Sequence, residues 1–288
     1  MKIAFFGLPL AAYLLHRDGH DVVLAALSRK DAVGGRRLRA SIGAARVVMK
    51  PKLDAAFTER VRKTAPDLVV SWFWTTLIPP SIVDLARFGG VGVHPSLLPR
   101  HRGPDPTSWA ILSGDAVTGV TAHRIAADYD TGAILGQRTL PIDERWDSFT
   151  LAKALDRPSL ALLREICGRF ARGEAVPEVA QDERLATAAP MLEGDETILR
   201  WDEPTDSVLR RIRALAPSPG AATTIGDRDV VVLAARAAPA PAVLEAPGEA
   251  AFVRGCALVK TRDGAIELLA VEADGALLKG SDLRALLT

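Results

Sequence analysis

Two short stretches of this chain hold residues whose types and spacing suit proton transfer. In Val91-Gly92-Val93-His94-Pro95-Ser96-Leu97-Leu98-Pro99-Arg100-His101-Arg102-Gly103 an imidazole follows a short apolar run and precedes a loop punctuated by Pro and Gly. About thirty-five residues later, Asp128-Tyr129-Asp130-Thr131-Gly132 sets a carboxylate in a turn. Histidine titrates near neutral pH, and a carboxylate that meets it in the fold tunes and orients it. On residue chemistry alone, a satisfied structural histidine and a turn-capping aspartate account for these positions equally well.

The elements that must carry these residues read as a parallel α/β arrangement. Lys2–Phe6 is a short apolar strand, Gly7-Leu8-Pro9 turns into a helix ending near Asp18-Gly19, and His20–Ala26 reads as the next strand. Such a start implies a parallel sheet with a right-handed crossover. The single glycine at the first turn lacks the spaced glycines that seat a dinucleotide pyrophosphate, which argues against a nucleotide-cofactor Rossmann enzyme. Phe57–Lys63 and Ser81–Arg87 read as helices, Leu68–Trp72 as a buried strand, and Gly92–His94 as the end of a central strand. A helix is expected over Asp105–Leu112, with Pro106 tolerated in its first turn. Strands over Val117–Ile125 and Ala133–Leu140 flank the Asp130 turn, and Leu151–Phe170 is a long amphipathic helix with Pro158 inside it. The chain then becomes polar and irregular. We place a linker at 176–198, between a domain at 1–175 and a C-terminal domain at 199–288. In the latter, a helix over Ser207–Leu215 precedes short strands around Val230–Leu233, Leu258–Lys260 and Ile266–Val271, a spacing that suggests a small β-barrel.

Composition narrows the class. The 288 residues are 48% hydrophobic and 25% charged, ordinary for a globular protein. No apolar run reaches the roughly 18–20 residues that span a bilayer, and no cleavable leader is persuasive, so no membrane partner and a cytoplasmic location are expected. Cys167 and Cys256 lie far apart and read as core thiols; the five histidines form no ligand cluster, and nothing asks for a metal. The net charge of +1 conceals an asymmetry. Residues 1–189 hold 25 Lys/Arg against 20 Asp/Glu, giving +5, whereas residues 190–288 hold 11 against 15, giving −4. Between Arg29 and Lys52 there are eight basic residues and one acidic, which reads as a mobile cationic loop leading into a strand around Ala45–Met49. It is either a solvated surface or an anion contact.

The run His94-Pro95-Ser96-Leu97-Leu98-Pro99-Arg100-His101-Arg102-Gly103, then Thr118-Gly119-Val120-Thr121, then Asp130-Thr131-Gly132, resembles the signature of folate-dependent formyltransferases. That family includes methionyl-tRNA formyltransferase and the enzymes that formylate amino groups of nucleotide-linked sugars. The likeness begins at Met1-Lys2-Ile3-Ala4-Phe5-Phe6-Gly7 and returns at Arg211–Ala221, which resembles the opening of the family's C-terminal domain. The resemblance implies a Rossmann-like, mostly parallel sheet followed by an OB-like barrel, with 10-formyltetrahydrofolate as co-substrate. It implies His94 as donor to the developing oxyanion and Asp130 as its orienting partner and proton relay. Phe73, Trp74, Thr75, Thr76, Leu77 and Ile78, with Asp128, would border the pterin, whereas Trp72 reads as plain core. Ser96, Leu97, Leu98, Pro99, Arg100 and Arg102 would form the loop beside the acceptor amine.

One departure matters. The family's catalytic triad is Asn, His and Asp, with the Asn two residues before the His; here that position is Gly92. Losing an oxyanion donor typically costs about 10²–10³ in rate. A water, Ser96 or Thr121 could stand in for the amide, the acceptor could supply the hydrogen bond, or the chain could be a folate-binding relic. Gly92, the acidic C-terminal half and the Gly119–Arg124 segment, which looks closer to the sugar enzymes, together suggest a small-molecule amine acceptor ahead of tRNA. The basic Arg29–Lys52 segment and the Arg211–Ala221 motif keep methionyl-tRNA as the alternative; a hydrolase releasing formate is the third reading. No sequence feature specifies an oligomeric state.

Overall fold

Ile3, Ala4, Phe5 and Phe6 are all fully buried in β1 (Lys2–Gly7), as an unbroken apolar run between two covered faces requires. The computed structural model describes residues 1–287. After β1 come α1 (Pro9–Arg17), β2 (Asp21–Leu27), α2 (Gly35–Ile42), β3 (Val47–Met49), α3 (Ala55–Arg62), β4 (Leu68–Trp72), α4 (Pro80–Val83) and β5 (Gly90–His94). Then follow α5 (Pro106–Leu112), β6 (Val117–Arg124), β7 (Ile134–Pro141) and α6 (Ser148–Ala171). The seven strands form one sheet in the order β3-β2-β1-β4-β5-β6-β7. The pairs from β3 through β5 are parallel, and β6 runs antiparallel to β5. This is the α/β class that the sequence predicts.

Two compact units divide the chain. The first comprises Met1–Pro104, Thr118–Leu140 and Ala154–Ala189; the second comprises Asp105–Val117, Pro141–Lys153 and the chain from Pro190 onward. In the first unit, Phe6, Leu24, Val69, Ile78 and Ile82 share a core cluster with Phe57 and Val61 of α3. Fully burying one such side chain contributes roughly 1.5–3 kcal/mol, so this sheet is a rigid support for whatever its strand ends carry. Asp54 caps α3 by accepting from the Phe57 amide at 3.0 Å, and Trp72, buried as expected, donates from Nε1 to Ser159 Oγ at 2.6 Å.

The second unit holds α7 (Thr205–Leu215) and six antiparallel strands: β8 (Ala221–Ile225), β9 (Arg228–Ala238), β10 (Ala250–Val253), β11 (Cys256–Lys260), β12 (Ala265–Ala273) and β13 (Ala276–Lys279). Their path is β10-β11-β12-β9-β8, with β13 on β12. A C-terminal β-domain, read as an OB-like barrel, was expected, and the observed strands are antiparallel; β8, β10 and β13 were not expected. Ala221-Ala222-Thr223-Thr224 has little apolar alternation of its own and becomes a strand through its pairing with β9. β9 extends to Ala238, well past the expected Leu233, because β12 pairs with it along its length.

Two other expectations change. The stretch 29–52 is not an open loop, because Leu38 and Ile42, four residues apart, are buried and hold α2 as a helix. The helix expected over Ser81–Arg87 ends at Val83 and continues as turns to Gly89.

Candidate active site

His94 ends β5 at the C-terminal edge of the sheet, where open α/β sheets gather their ligands. It is 6% exposed. Its Nε2 donates to the His101 carbonyl at 2.8 Å, which turns Nδ1 toward Asp130 Oδ2 at 3.4 Å. Both ring nitrogens therefore face acceptors. The sequence-predicted pair is thus brought together.

The loop after β5 is laid down by bonds that use the polar atoms on offer. Ser96 Oγ donates to the Arg100 carbonyl at 2.6 Å. Thr121 Oγ1 donates to the Ser96 carbonyl at 2.7 Å and accepts from the Leu98 amide and from Gln137 Nε2. Ser96 and Thr121, the side chains that might replace a missing amide at position 92, are therefore already committed to holding the loop. Arg102 is equally engaged. Its guanidinium donates to Gln181 Oε1 at 2.7 and 3.0 Å and to the Glu183 carboxylate at 2.7 and 2.8 Å. Glu183 also raises the Arg102 pKa above its ordinary value, chiefly through these hydrogen bonds. Leu98 is buried, Leu97 and Pro99 are half-buried and Arg100 is exposed.

Asp130 is held from several sides. Its Oδ2 accepts from the Gly103 amide at 3.0 Å, and its own carbonyl accepts from Gln181 Nε2 at 2.7 Å. The residue sits at φ 57°, and His101, whose carbonyl anchors His94, sits at φ 59°. Left-handed backbone costs a non-glycine residue roughly 1–2 kcal/mol, somewhat less for Asp, and the surrounding bonds must over-determine it. Two glycines make the geometry possible. A Cβ on Gly132 would lie 1.9 Å from the Arg124 carbonyl oxygen, and one on Gly103, at φ 121°, would lie 2.8 Å from the Ala189 carbonyl oxygen.

A third titratable group went unpredicted. His123, on β6, pairs directly across the sheet with Gly92 on β5. Its ring is 7% exposed, its Nδ1 donates to the Arg124 carbonyl at 2.8 Å, and its Nε2 lies 3.7 Å from Asp130 Oδ1. The rings of His94 and His123 stand edge to face, 6.5 Å between centroids. Burial pushes the His123 pKa below its ordinary value, against an upward pull from Asp130 and with a further downward push from His94. The residue without a side chain at 92 leaves room for this ring on the opposing strand. Gly103, which closes the signature run, was given no role of its own; Gln181 and Gln137 were also missed, and nothing in their local sequence marks them.

The loop expected to meet a pterin follows β4. Phe73 and Trp74 are half-buried, Thr75, Thr76 and Leu77 are exposed, and Ile78 is buried in the core cluster. Trp74 packs edge to face on Phe6 at 5.6 Å, and its buried Nε1 has no hydrogen-bond partner. The Leu77 amide donates to the Tyr129 hydroxyl at 2.9 Å, tying this loop to the turn that carries Asp130. Asp128 is exposed, and its carbonyl accepts from Thr131 Oγ1.

Residues 1–166 match the formyl transferase family model and residues 191–284 match its C-terminal domain. The methionyl-tRNA formyltransferase of Anaeromyxobacter dehalogenans is 37% identical, over 93% of this chain and 90% of that one. That of Solibacter usitatus is 33% identical, over 96% and 92%. Among solved structures, the N-formyltransferase from Helicobacter canadensis with folinic acid and dTDP-3-aminofucose superposes at TM-score 0.70 with 14% identity, covering 93% of this chain and 98% of that one. HypX from Aquifex aeolicus with tetrahydrofolic acid superposes at 0.69 with 21% identity, over 99% of this chain; the chain spans about half of HypX, 47%. The two sequence relatives are methionyl-tRNA formyltransferases, and the Helicobacter canadensis structure holds an amino sugar.

Proposed function

Because the chain belongs to the formyl transferase family, we propose that it moves a formyl group from 10-formyltetrahydrofolate to the amino group of methionyl-tRNA. The observation that carries the chemistry is the half-buried carboxylate of Asp130 between two buried imidazoles at the end of β5. His94 places Nε2 on the His101 carbonyl and Nδ1 toward Asp130, so it reaches the developing oxyanion as a donor by exchanging one of these contacts. Asp130 fixes the orientation of His94, and Gly103 N–H fixes Asp130. The tRNA acceptor is supported by relatives at 33–37% identity along nearly the whole chain. It is also supported by α2, whose Arg36, Arg37 and Arg39 are all exposed, with Arg29, Lys30, Lys50 and Lys52 exposed nearby.

The residues fit the donor. Phe73 and Trp74 offer apolar walls to a flat heteroaromatic ring, and the orphaned Trp74 indole N–H is a donor in search of an acceptor. Phe73–Ile78 and Asp128 would hold the pterin, with Ser96–Arg100 bordering the amine. Arg102 supports that loop from behind through Gln181 and Glu183.

A second reading, a nucleotide-linked amino sugar or another small amine as acceptor, is favoured by Gly92 and by the acidic residues 190–288. One experiment separates the readings. The purified chain is given 10-formyltetrahydrofolate with methionyl-tRNA, with dTDP-amino sugars, or with no acceptor, and tetrahydrofolate release is followed. Formylmethionyl-tRNA as the preferred product is expected. Turnover with the sugars alone favours the second reading, release without acceptor identifies a hydrolase, and folate-analogue binding without release identifies a binding protein.

A further inference from the structure

The substitution at position 92 and the histidine opposite it form a single device. A Cβ on Gly92 would lie 3.1 Å from His123 Nε2 and 3.4 Å from its Cε1, so the imidazole occupies the space that a side chain at 92 would enter. The ring is not free to turn away, because Nδ1 is spent on the Arg124 carbonyl. A carbonyl can only accept, so that bond fixes a proton on Nδ1. In the neutral ring it leaves the lone pair of Nε2 facing the site. That lone pair and Asp130 Oδ1 lie 3.7 Å apart, too far to bond and both acceptors if the ring is neutral. Two acceptors so placed are matched by one group that carries at least two N–H or O–H bonds. A primary amine is such a group.

We propose that His123 Nε2 and Asp130 Oδ1 together receive the acceptor's amino group, and that His123 is the base that takes its proton. This deepens the transferase reading and rests on it. As the amine nitrogen bonds to the formyl carbon, one N–H proton passes to His123 Nε2. As the bond from that carbon to N10 of the folate breaks, the same proton returns from His123 Nε2 to N10. One C–N bond forms, one breaks, and no proton or electron is left over. The depressed pKa that burial gives His123 keeps the ring neutral and able to accept at neutral pH. The charged or titratable groups bearing on it are His94 on β5 and Asp130 on the turn, with Arg102 of the loop after β5 acting on Asp130.

The test is kcat/KM across pH 5–9 for the wild-type chain and for His123→Gln, with the acceptor that the wild type turns over. A parallel titration measures affinity for 5-formyltetrahydrofolate. Glutamine keeps the volume and can hydrogen-bond but takes no proton at these pH values. His123→Gln should lose roughly 10²–10⁴-fold in kcat/KM, as removal of a general base does, with folate affinity within a few-fold of wild type. The acid limb of the profile should change with it. His123→Ala should regain part of the lost rate when imidazole is added. Activity of His123→Gln within about threefold of wild type, or a loss with folate affinity intact, an unchanged acid limb and no imidazole rescue, overturns the assignment of His123 alone. Absence of turnover by the wild type with every acceptor overturns the transferase reading and this assignment together.

Discussion

Gly92 and His123 face each other across β5 and β6, a residue without a side chain on one strand opposite a ring on the other. Restoring asparagine at 92 should therefore harm rather than help. The added side chain begins 3.1 Å from His123 Nε2, and the ring is pinned by its bond to the Arg124 carbonyl. Overpacking of this kind costs about 1–3 kcal/mol, so Gly92→Asn should lower the urea midpoint by a corresponding amount and reduce turnover. In the double variant Gly92→Asn/His123→Ala the stability loss should be smaller than the sum of the two single losses, the signature of direct contact. A faster Gly92→Asn enzyme would show that the glycine is a defect and not half of an exchange. At Asp130 the prediction separates charge from backbone. Asn tolerates the left-handed conformation, so Asp130→Asn should stay folded and lose activity. Asp130→Ala should also lose roughly 1 kcal/mol of stability from φ 57°.

At the scale of elements, α2 is where a reading of residues alone fell short. Between Arg29 and Lys52 the basic side chains dominate the composition, and a cationic loop was the natural expectation. The two apolar residues that decide the matter, Leu38 and Ile42, occupy one helical face and are buried, while Arg36, Arg37 and Arg39 remain outside. In contrast, β1 and β4 were legible because strands covered on both faces read as apolar runs, and β5 because its apolar residues end at His94-Pro95. The His94–Asp130 pair was legible because each residue sits at a strand end or turn with a recognisable motif around it. His123 was not, because its meaning lies in what stands opposite it, and register across two strands is a property of the sheet. The role of Arg102 was hidden for the same reason: its partners, Gln181 and Glu183, are about eighty residues away. The helix gives a discriminating prediction. Charge reversal at Arg36, Arg37 and Arg39 leaves Leu38 and Ile42 in place, so the fold should persist. With methionyl-tRNA, KM should rise and its salt dependence should flatten, by a slope of up to about 0.9 per lost duplex phosphate contact. Turnover of a small amine should not change, and equal effects on both acceptors would remove α2 from the tRNA reading.

At the scale of the whole molecule, a net charge of +1 means that electrostatic stability depends on particular buried groups rather than on overall repulsion. Two of these set the response to acid. His20 is buried, and burial, reinforced by the nearby N-terminal amino group, lowers its pKa against a weaker upward pull from Asp18; His123 is lowered first by burial as well. A histidine whose folded pKa lies below its unfolded value of about 6.5 favours the unfolded chain as soon as that chain can take up the proton. Its contribution is complete above pH 6.5 and is lost as pH falls through the folded-state pKa. The urea midpoint should therefore be flat from pH 8 to about 6.5 and decline below it, before the carboxylates begin to titrate. Asp18 adds a separate, later step. Its carboxylate is held below the ordinary range chiefly by hydrogen bonds from Arg164, so its contribution is lost only as pH falls below about 3.8 toward that lowered value. Replacing His20 with Gln, and separately His123 with Gln, should each flatten part of the decline below pH 6.5 and leave the Asp18 step untouched. A midpoint that stays flat down to pH 5, or a decline that neither variant reduces, would mean that these rings accept protons without leaving their sites.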